Sequence, residues 1–517
     1  MNSSGNVSFN PPLETALKTN VTGTRNLLAF VKRMKEPKFV HTSTCFVAGN
    51  RSGQIWEDDP VLGYFPRRDE SEGVEFSVEQ ELRDSERLTR SVVEESTDAT
   101  LNAEFRAIAR RRLKEEGRDP DDESTLNLAA ARERKDWIRN KMSRLGLDRA
   151  KWWGWPNIYT YTKSMGEQLI AVENGIRRSS VRPAIEESAI SYPFAGWNEG
   201  FNTTAPLILF GLNGQHEFPV NKDLVLDIIP VDFVASALLA ITAQTLVEEP
   251  KLVHQLCSGD SNPNKMRRIV TLLGLYKRKH FKDKESGNKF INAIAARMEA
   301  RPVSEKYFDA LVPRLHRTLQ KLSDKLESSK PYGTLQNLKD ALLKGAQRLE
   351  AFTREGLDAY EQFKPFMLYN EYQFRADNVR ALFARLSPDS HKILTWAPES
   401  IDWYHYWLKV HFPGLQKWVF PKMEEIGKPK PKRVYTYRSI PEMLYAITKS
   451  KHRKIAMRME RNGEMEEYTY SDVRELSLRA ATYLRIQGVE ADDRVGLIAE
   501  NSPEWGLSYF GIILAGA

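Results

Sequence analysis

Short apolar runs alternate with helical patterns along the first half of the chain, and this alternation constrains the fold more than any other feature. The runs have strand length and cover residues 39–40, 181–190, 226–230 and 253–257. The spacing of apolar residues predicts helices over 13–35, 159–174 and 232–243, with Gly175 and Asp232 as caps. Strands that alternate with helices predict an α/β fold with a doubly wound sheet.

Composition shifts divide the 517 residues into further parts. Residues 67–150 are highly charged and helical in pattern, and Asp119-Pro120-Asp121-Asp122 marks a turn. Because acidic and basic residues interleave there, a solvated helical insertion is favoured over a nucleic-acid arm. Residues 264–360 are helical and basic, and 366–426 are aromatic-rich. The Lys/Pro segment 427–435 predicts a linker, after which a second α/β pattern covers 436–517.

Charge and cysteine content narrow the class of protein. The net charge of +7 suits an anionic cofactor or thioester, but it is equally ordinary for a soluble protein. The two cysteines, Cys45 and Cys257, are far apart and lack any His cluster, which predicts no disulfide framework, no metal site and a cytoplasmic location. No apolar run reaches the about 18–20 residues of a spanning helix.

Three residues, Thr44, Tyr159 and Lys163, are candidates for catalysis. Tyr159 and Lys163 form a Tyr-x-x-x-Lys pair at the start of a predicted helix, so both side chains lie on one helix face. A nearby ammonium is expected to lower the pKa of the phenol, and the same lysine can hold ribose hydroxyls. Thr44, at the end of a predicted strand, can donate a hydrogen bond to a carbonyl oxygen that gains negative charge.

The same spacing occurs twice more, at Tyr360/Lys364 and at Tyr445/Lys449. Only Tyr159 follows a strand that ends in hydroxyls and opens a helix inside the α/β region. For the other two, a surface tyrosine on an amphipathic helix is the favoured interpretation.

The sequence also contains a cluster of tryptophans, Trp152, Trp153 and Trp155. We expect at least two of them to pack in the core; the alternative is that they line an acyl tunnel or contact a membrane surface.

Several separated segments agree in order with a known family. Asn20-Val-Thr-Gly-Thr-Arg-Asn-Leu-Leu28, Phe39-Val-His-Thr-Ser-Thr44 and Tyr159-Thr-Tyr-Thr-Lys163 resemble the extended short-chain dehydrogenase/reductases. Three further segments are similar to the fatty acyl-CoA reductases of the male sterility group: Trp155 to Lys163, Arg182-Pro183 leading to Pro193-Phe-Ala-Gly-Trp197, and Asp227-Ile-Ile-Pro-Val-Asp232. The resemblance covers about residues 5–265 and implies a Rossmann-like sheet within a partial NADP-binding reductase domain, residues 1–263.

The resemblance also implies an activity and a site. It implies reduction of a fatty acyl-CoA or acyl-carrier thioester by NADPH, through an aldehyde, to a fatty alcohol. The implied catalytic residues are Thr44, Tyr159, Lys163 and Asn20, and the implied cofactor contacts are Tyr159, Lys163 and Pro193. The alternatives are a nucleotide-sugar epimerase or dehydratase of the same fold, or a remnant without catalysis. Peripheral membrane contact is possible, and chain-length preference, aldehyde or alcohol as product, and oligomeric state stay open.

Two later blocks extend the resemblance. Phe374-Arg-Ala-Asp-Asn378, Leu386-Ser-Pro388, Ile401-Asp-Trp403 and Pro413-Gly-Leu415 are similar to the C-terminal domain of the same reductases, which assigns that domain to the helical region 264–426. Tyr468-Thr-Tyr-Ser-Asp472, the segment 488–495 and Asn501-Ser-Pro-Glu-Trp505 resemble the start of an adenylate-forming acyl ligase. The fusion suggests a polypeptide that both activates and reduces fatty acids.

Both ends of the sequence are interpreted as cut. The G-x-G-x-x-G loop that seats a dinucleotide pyrophosphate is not found, and Asn2-Ser-Ser-Gly5 resembles the end of the fourth strand. The phosphate loop of the ligase is not found either, and the helix at 509–517 is expected to lack a cap. The chain is therefore expected to be an N-terminally truncated fragment that is inactive by itself.

Overall fold

A computed structural model describes residues 1–213, 215–283, 297, 299–328, 343, 354, 357, 360–422, 437, 439–461 and 463–517. The chain divides into two compact units, residues 1–427 and residues 428–517. The predicted linker 427–435 lies outside the described residues.

The first unit is built from short parallel strands joined by helices. Its strands are β1 (Lys38–Thr42), β2 (Gly53–Ile55), β3 (Arg177–Pro183), β4 (Ile185–Glu187), β5 (Glu217–Pro219), β6 (Ile228–Pro230), β7 (Val253–Leu256), β8 (Arg301–Val303) and β9 (Tyr372–Phe374). Its main helices are α1 (Leu13–Leu17), α2 (Gly23–Val31), α3 (Val78–Glu95), α4 (Ala99–Glu115), α5 (Glu123–Trp153), α6 (Ile158–Val172), α7 (Ala205–Leu212), α8 (Val231–Val247), α9 (Met266–Asp283), α10 (Glu305–Ser328), α11 (Asp377–Ala384) and α12 (Pro388–Ile393).

The central sheet has the parallel order β1-β3-β7, and both of its faces are covered by helices. Phe39 packs with Leu28 of α2 and Ile170 of α6, whereas the next residue, Val40, packs in the cluster that contains α8. Since successive strand residues point to opposite faces, helices lie on both sides of the sheet. The predicted α/β fold class is confirmed. Asn2 adds a parallel bridge to His41, in keeping with the strand interpretation of residues 2–5.

Several predicted helix boundaries and helix caps differ from those in the structure. The first helix ends at Val31 rather than at residue 35, and a π-helical turn, Lys18–Thr22, interrupts it. Helix α6 ends at Val172, so Gly175 is not its cap. The prediction that Asp232 caps α8 is wrong, because Pro230 is the N-cap. The carboxylate of Asp232 instead accepts backbone hydrogen bonds from residues 190–192, where β4 has already ended.

The charged segment forms three helices, α3 to α5, as the helical pattern predicts. Asp122, the last residue of the predicted turn, is the N-cap of α5. The Tyr161 hydroxyl of α6 donates to the Glu81 carboxylate of α3, which holds the insertion to α6. Arg149 of α5 pairs with the same carboxylate and joins two helices of the insertion. Trp153 and Trp155 are buried, which confirms core packing for two of the three tryptophans.

Residues 360–422 share the hydrophobic core of the first unit. Strand β9 pairs in parallel with β2, and α11 packs against β7 and α8. The Trp403 indole donates to the backbone oxygen of Asn262 over 3.0 Å. The region predicted as a separate C-terminal domain is therefore packed within the first unit, although its predicted bounds stay a prediction.

The second unit contains a hairpin and three helices. The elements are α13 (Ile440–Ser450), β10 (Ile455–Arg461), β11 (Glu464–Thr469), α14 (Tyr470–Ile486) and α15 (Pro503–Ala515). The two strands are antiparallel, and α14 packs against α15. The Ser502 side chain caps the start of the last helix, and left-handed Gly516, rather than a polar side chain, closes its end. Across the described residues, no helix is both long and apolar enough to cross a membrane.

Close packing of α6 on the π-turn gives a prediction about stability. A Cβ atom at Gly166 would lie 2.4 Å from the backbone oxygen of Asn20, so Gly166→Ala must push α6 and the π-turn apart. We expect the free energy of unfolding to fall by about 1–3 kcal/mol in urea denaturation followed by tryptophan fluorescence. Gly23→Ala is the control, because its Cβ meets its nearest neighbour at 3.5 Å. The control should gain about 0.5–1 kcal/mol; equal behaviour of the two variants would contradict the close approach.

Candidate active site

A cavity of about 370 Å³ lies where the central strands end. Ser43 and Thr44 directly follow β1, Pro183 ends β3, and Tyr159 opens α6; all four line the cavity. The carboxyl ends of parallel strands meet at one edge of a sheet, which is where α/β folds place their ligands. The structure thus brings two of the predicted site residues, Thr44 and Tyr159, into one cavity.

Thr44 is fixed by the turn that it caps. Its hydroxyl accepts from the backbone nitrogen of Phe46 over 3.3 Å and lies 3.4 Å from the Pro183 oxygen, to which it donates. The hydroxyl also lies near enough to the Tyr159 phenol to lower the pKa of that phenol slightly against the effect of burial. Two neighbouring hydroxyls that line one cavity can both serve one substrate oxygen, which is the arrangement expected for an oxyanion site.

Tyr159 is positioned from both sides of its helix start. Asn157 caps α6, and the backbone nitrogen of Tyr159 donates to the Phe9 oxygen over 3.0 Å. The Phe9 ring stacks on the tyrosine ring with 6.4 Å between centroids. Burial raises the pKa of the phenol well above its ordinary value of 10.0, and the Glu186 charge raises it further. The expectation that Lys163 lowers this pKa is therefore wrong, because burial dominates.

Lys163 lies one helical turn further along α6 and is buried. Its ammonium donates to the backbone oxygen of Thr42, the last residue of β1. Burial lowers its pKa from 10.5 to about 8, although Glu167 and Glu186 oppose the shift. Because an ammonium has three donors, the remaining N–H groups are suited to the ribose hydroxyls of a nicotinamide cofactor. Lys163 itself does not line the cavity described above.

Asn20 lies on the π-turn and is bound to the segment that follows Asn2. Its side chain accepts from the Asn6 nitrogen over 2.7 Å and donates to the Thr162 hydroxyl over 2.9 Å. A Cβ atom at Gly5 would lie 3.5 Å from the Asn20 oxygen and 3.7 Å from the Lys163 ammonium. The structure places Asn20 close to Lys163 across Gly5, and its role in catalysis stays a prediction.

Pro193 is not brought into the cavity. It lies on an exposed loop after β4 that is held at its base by the Asp232 carboxylate, and it is not among the lining residues. Its role as a cofactor contact stays a prediction.

Neither Tyr360 nor Lys364 is among the residues that line the cavity, and the pair Tyr445/Lys449 belongs to the second unit. The Tyr445 side chain is exposed, as predicted. Tyr360 is buried beside Phe308, so the surface interpretation of that tyrosine is wrong. In each pair the ammonium lies near the face of the tyrosine ring, at 5.3 Å for Lys364 and 5.9 Å for Lys449. Both contacts are consistent with a structural cation–π role.

Sequence reasoning missed a carboxyl group and an aromatic wall. Glu186, in the middle of β4, lines the cavity beside Tyr159. The signal was present, since two adjacent acidic residues, Glu186 and Glu187, interrupt a run predicted as a buried strand. The wall consists of four aromatic rings that line the cavity and are joined in a chain of contacts, with centroid distances of 5.4 Å for Phe363 to Phe9, 5.9 Å for Phe9 to Phe366 and 5.2 Å for Phe366 to Phe46. It gives the cavity a polar side and an apolar side.

Comparison with known proteins gives two family matches. Residues 1–238 match the family described as male sterility protein, an NAD-binding domain, and residues 446–517 match the AMP-binding enzymes. The chain is 27% identical over 435 residues to fatty acyl-CoA reductase 2, chloroplastic, of Arabidopsis thaliana. It is 25% identical over 433 residues to the alcohol-forming fatty acyl-CoA reductase of Simmondsia chinensis.

The matches differ in how much of each relative they include. They cover 81% of this chain in both cases, but 61% of the Arabidopsis protein and 76% of the Simmondsia protein. Among solved structures, the terminal R domain of the myxalamid pathway is similar over 59% of this chain and 60% of its own length. Its sequence identity is 14% and the TM-score is 0.32.

The buried ammonium of Lys163 predicts a pH dependence of stability. Its pKa is about 8 in the folded protein and 10.5 ordinarily, so the unfolded chain binds more protons between these values. This group should therefore raise the free energy of unfolding by about 3 kcal/mol as the pH rises from 8 to 10.5. Below pH 8 it should cause no change with pH. Lys163→Met should remove that gain in urea titrations at several pH values. The exposed control Lys18→Met should keep it; an unchanged slope in Lys163→Met would refute the assignment.

Proposed function

We propose that the protein reduces long-chain fatty acyl thioesters to fatty alcohols with NADPH. The premise is that residues 1–238 are a male sterility NAD-binding domain of the extended short-chain dehydrogenase/reductases, related to fatty acyl-CoA reductases. The observation that carries the proposal is the shared cavity of Thr44 and Tyr159 beside an aromatic wall. One side offers hydroxyl donors for a carbonyl oxygen, and the other offers apolar surface for an acyl chain.

The proposed chemistry begins at the thioester carbonyl. A nicotinamide cofactor supplies the hydride when it is bound. The hydroxyls of Thr44 and Tyr159 stabilise the oxygen as it becomes negative, and Tyr159 gives it a proton. A raised pKa suits this role, because the phenol keeps its proton until a more basic alkoxide forms. Lys163 holds the ribose and places its positive charge on the same helix face.

The first product is a hemithioacetal, which loses the thiol to give an aldehyde. The aldehyde then occupies the position of the thioester carbonyl, and a second hydride with a second proton from Tyr159 gives the alcohol. The same two hydroxyls serve both reductions, because each develops negative charge on one oxygen. The substrate is an acyl-CoA or an acyl-carrier thioester, since both present the same thioester group.

The match of residues 446–517 supports a wider role for the polypeptide. An AMP-binding enzyme domain activates carboxylic acids as adenylates, so a fused protein both activates and reduces fatty acids. The two free cysteines, Cys45 and Cys257, are buried thiols, which supports a cytoplasmic location. The exposed ring of Trp152 supports peripheral contact with a membrane surface, where long acyl chains collect.

Tyr159→Phe tests the proton donor. In the full-length protein, we expect the variant to lower kcat for palmitoyl-CoA by about 10²- to 10⁴-fold, because it lacks the hydroxyl that protonates the carbonyl oxygen. NADPH oxidation and gas chromatography of the alcohol measure the effect. Tyr161→Phe is the matched control, since its hydroxyl contacts Glu81 away from the cavity; it should lose stability and keep kcat.

The same assay separates the proposal from its main alternative. If the wild-type protein binds NADPH but reduces no acyl thioester, the reductase proposal fails. Turnover of a nucleotide sugar under those conditions would assign an epimerase or dehydratase activity instead.

The pH profile tests Lys163. Because its pKa is about 8, the ammonium loses its charge as the pH rises through that value, and kcat/KM should fall on the alkaline side of about pH 8. Lys277→Met is the control, because Lys277 has a similarly lowered pKa of about 8 outside the cavity. The alkaline limb should persist in this control and disappear in Lys163→Met. Loss of the limb in both variants would show that it does not report Lys163 specifically, which would contradict the assignment.

A further inference from the structure

Glu186 is a carboxyl group that faces the cavity and has no partner. It is the middle residue of β4, and its side chain is exposed to the cavity while Glu187 beside it is buried. Within the described part of the chain, the Glu186 carboxyl makes no hydrogen bond and no ion pair, although Lys163 lies close enough to affect its pKa. An unpaired carboxyl in a cavity with a perturbed pKa indicates a functional group.

Other buried carboxyls of this unit are held by hydrogen bonds. Glu187 also lines the cavity, but its Oε1 atom accepts from the Thr204 nitrogen over 2.9 Å and from the Thr204 hydroxyl over 2.6 Å. Glu57 accepts from the backbone nitrogens of Gln255 and Asn378, both over 2.7 Å. These carboxyls stabilise the fold, whereas the carboxyl of Glu186 is left free to contact a bound molecule.

The proposed function contains a step for which Tyr159 alone is insufficient. When the hemithioacetal collapses, the carbon–sulfur bond breaks and the electron pair goes to sulfur. The hydroxyl proton of the hemithioacetal returns to Tyr159, so the departing sulfur needs a proton from a second group. The reduction of the aldehyde has no leaving group and needs no second acid.

We propose that Glu186 is the general acid of this step, which rests on the proposed function. Its carboxyl gives its proton to the sulfur as the carbon–sulfur bond breaks, and the products are the aldehyde and the free thiol. Tyr159 ends protonated, and Glu186 ends ionised and regains a proton from solvent. Glu186 is thus a catalytic residue for thioesters and is not used for aldehydes.

The surroundings of Glu186 suit an acid. Burial raises the pKa of its carboxyl above the ordinary 4.5, and the positive charge of Lys163 opposes this shift. The other titratable groups that line the cavity are Tyr159, Glu187 and Glu199. The carboxyl of Glu186 therefore favours its protonated form more than a solvent-exposed glutamate does.

Glu186→Gln removes the proton and keeps the size of the side chain. The experiment uses the natural polypeptide with NADPH and three substrates: palmitoyl-CoA, the S-phenyl thioester of palmitic acid and hexadecanal. Single-turnover measurements follow NADPH oxidation and the release of free thiol. We expect thiol release from palmitoyl-CoA to slow by about 10²-fold and to lag behind NADPH oxidation. The S-phenyl thioester should lose far less, because thiophenolate leaves without protonation, and hexadecanal should be reduced at the wild-type rate.

Glu57→Gln is the matched control. It removes a different buried carboxyl outside the cavity lining, so it should lower stability without changing the ratio of thioester to aldehyde turnover. Equal losses for all three substrates in Glu186→Gln would assign Glu186 a structural role and overturn the proposal. Unchanged thiol release would overturn it as well. A wild-type protein that reduces none of the thioesters would refute the proposed function itself, which is a different result.

Discussion

The ion pair between Glu167 and Arg182 fixes the position of the reacting groups. Arg182 Nη2 lies 2.6 Å from Glu167 Oε1, and both side chains are buried. The other carboxylate oxygen accepts from the Ser43 hydroxyl over 2.7 Å. Three elements therefore meet at one carboxylate: α6, which carries Tyr159, the strand β3, and the end of β1. Removing one partner of such a buried pair costs about 3–5 kcal/mol, because the other charge is left uncompensated.

The Tyr-x-x-x-Lys pair shows how burial changes a chemical expectation. The spacing brings Tyr159 and Lys163 to one face, but the hydrocarbon and aromatic surroundings raise the pKa of the phenol and lower that of the ammonium. Both shifts favour the neutral forms. The Tyr159 phenol is therefore a weak acid that keeps its proton until a strongly basic alkoxide has formed. Lys163 contributes through its hydrogen bonds as well as through its charge.

The sequence predicts the local parts of the site better than the distant ones. Thr44 and Tyr159 were found because a strand that ends in hydroxyls and a helix that opens with Tyr-x-x-x-Lys are patterns within a few residues. No local sequence pattern indicates the π-turn around Asn20, since this turn depends on how closely Gly166 approaches the Asn20 backbone. The aromatic wall joins Phe46 to Phe366 across some 320 residues, and no local period encodes that contact. Whether residues 1–263 and 264–426 act as separate domains, as the sequence suggests, remains a matter of prediction.

Two distant parts of the chain that share one core divide the selectivity for the acyl substrate between them. The proposed reacting groups Thr44, Tyr159 and Glu186 belong to the first part of the chain, whereas Phe363, Phe366 and Met367 line the cavity from the region after α10. The reacting groups and half of the apolar wall thus belong to distant parts of the sequence. Changes in the later region can alter the space for an acyl chain while Thr44, Tyr159 and Glu186 keep their positions. Because β9 pairs with β2 next to the turn that Thr44 caps, the later region also supports the site it helps to close.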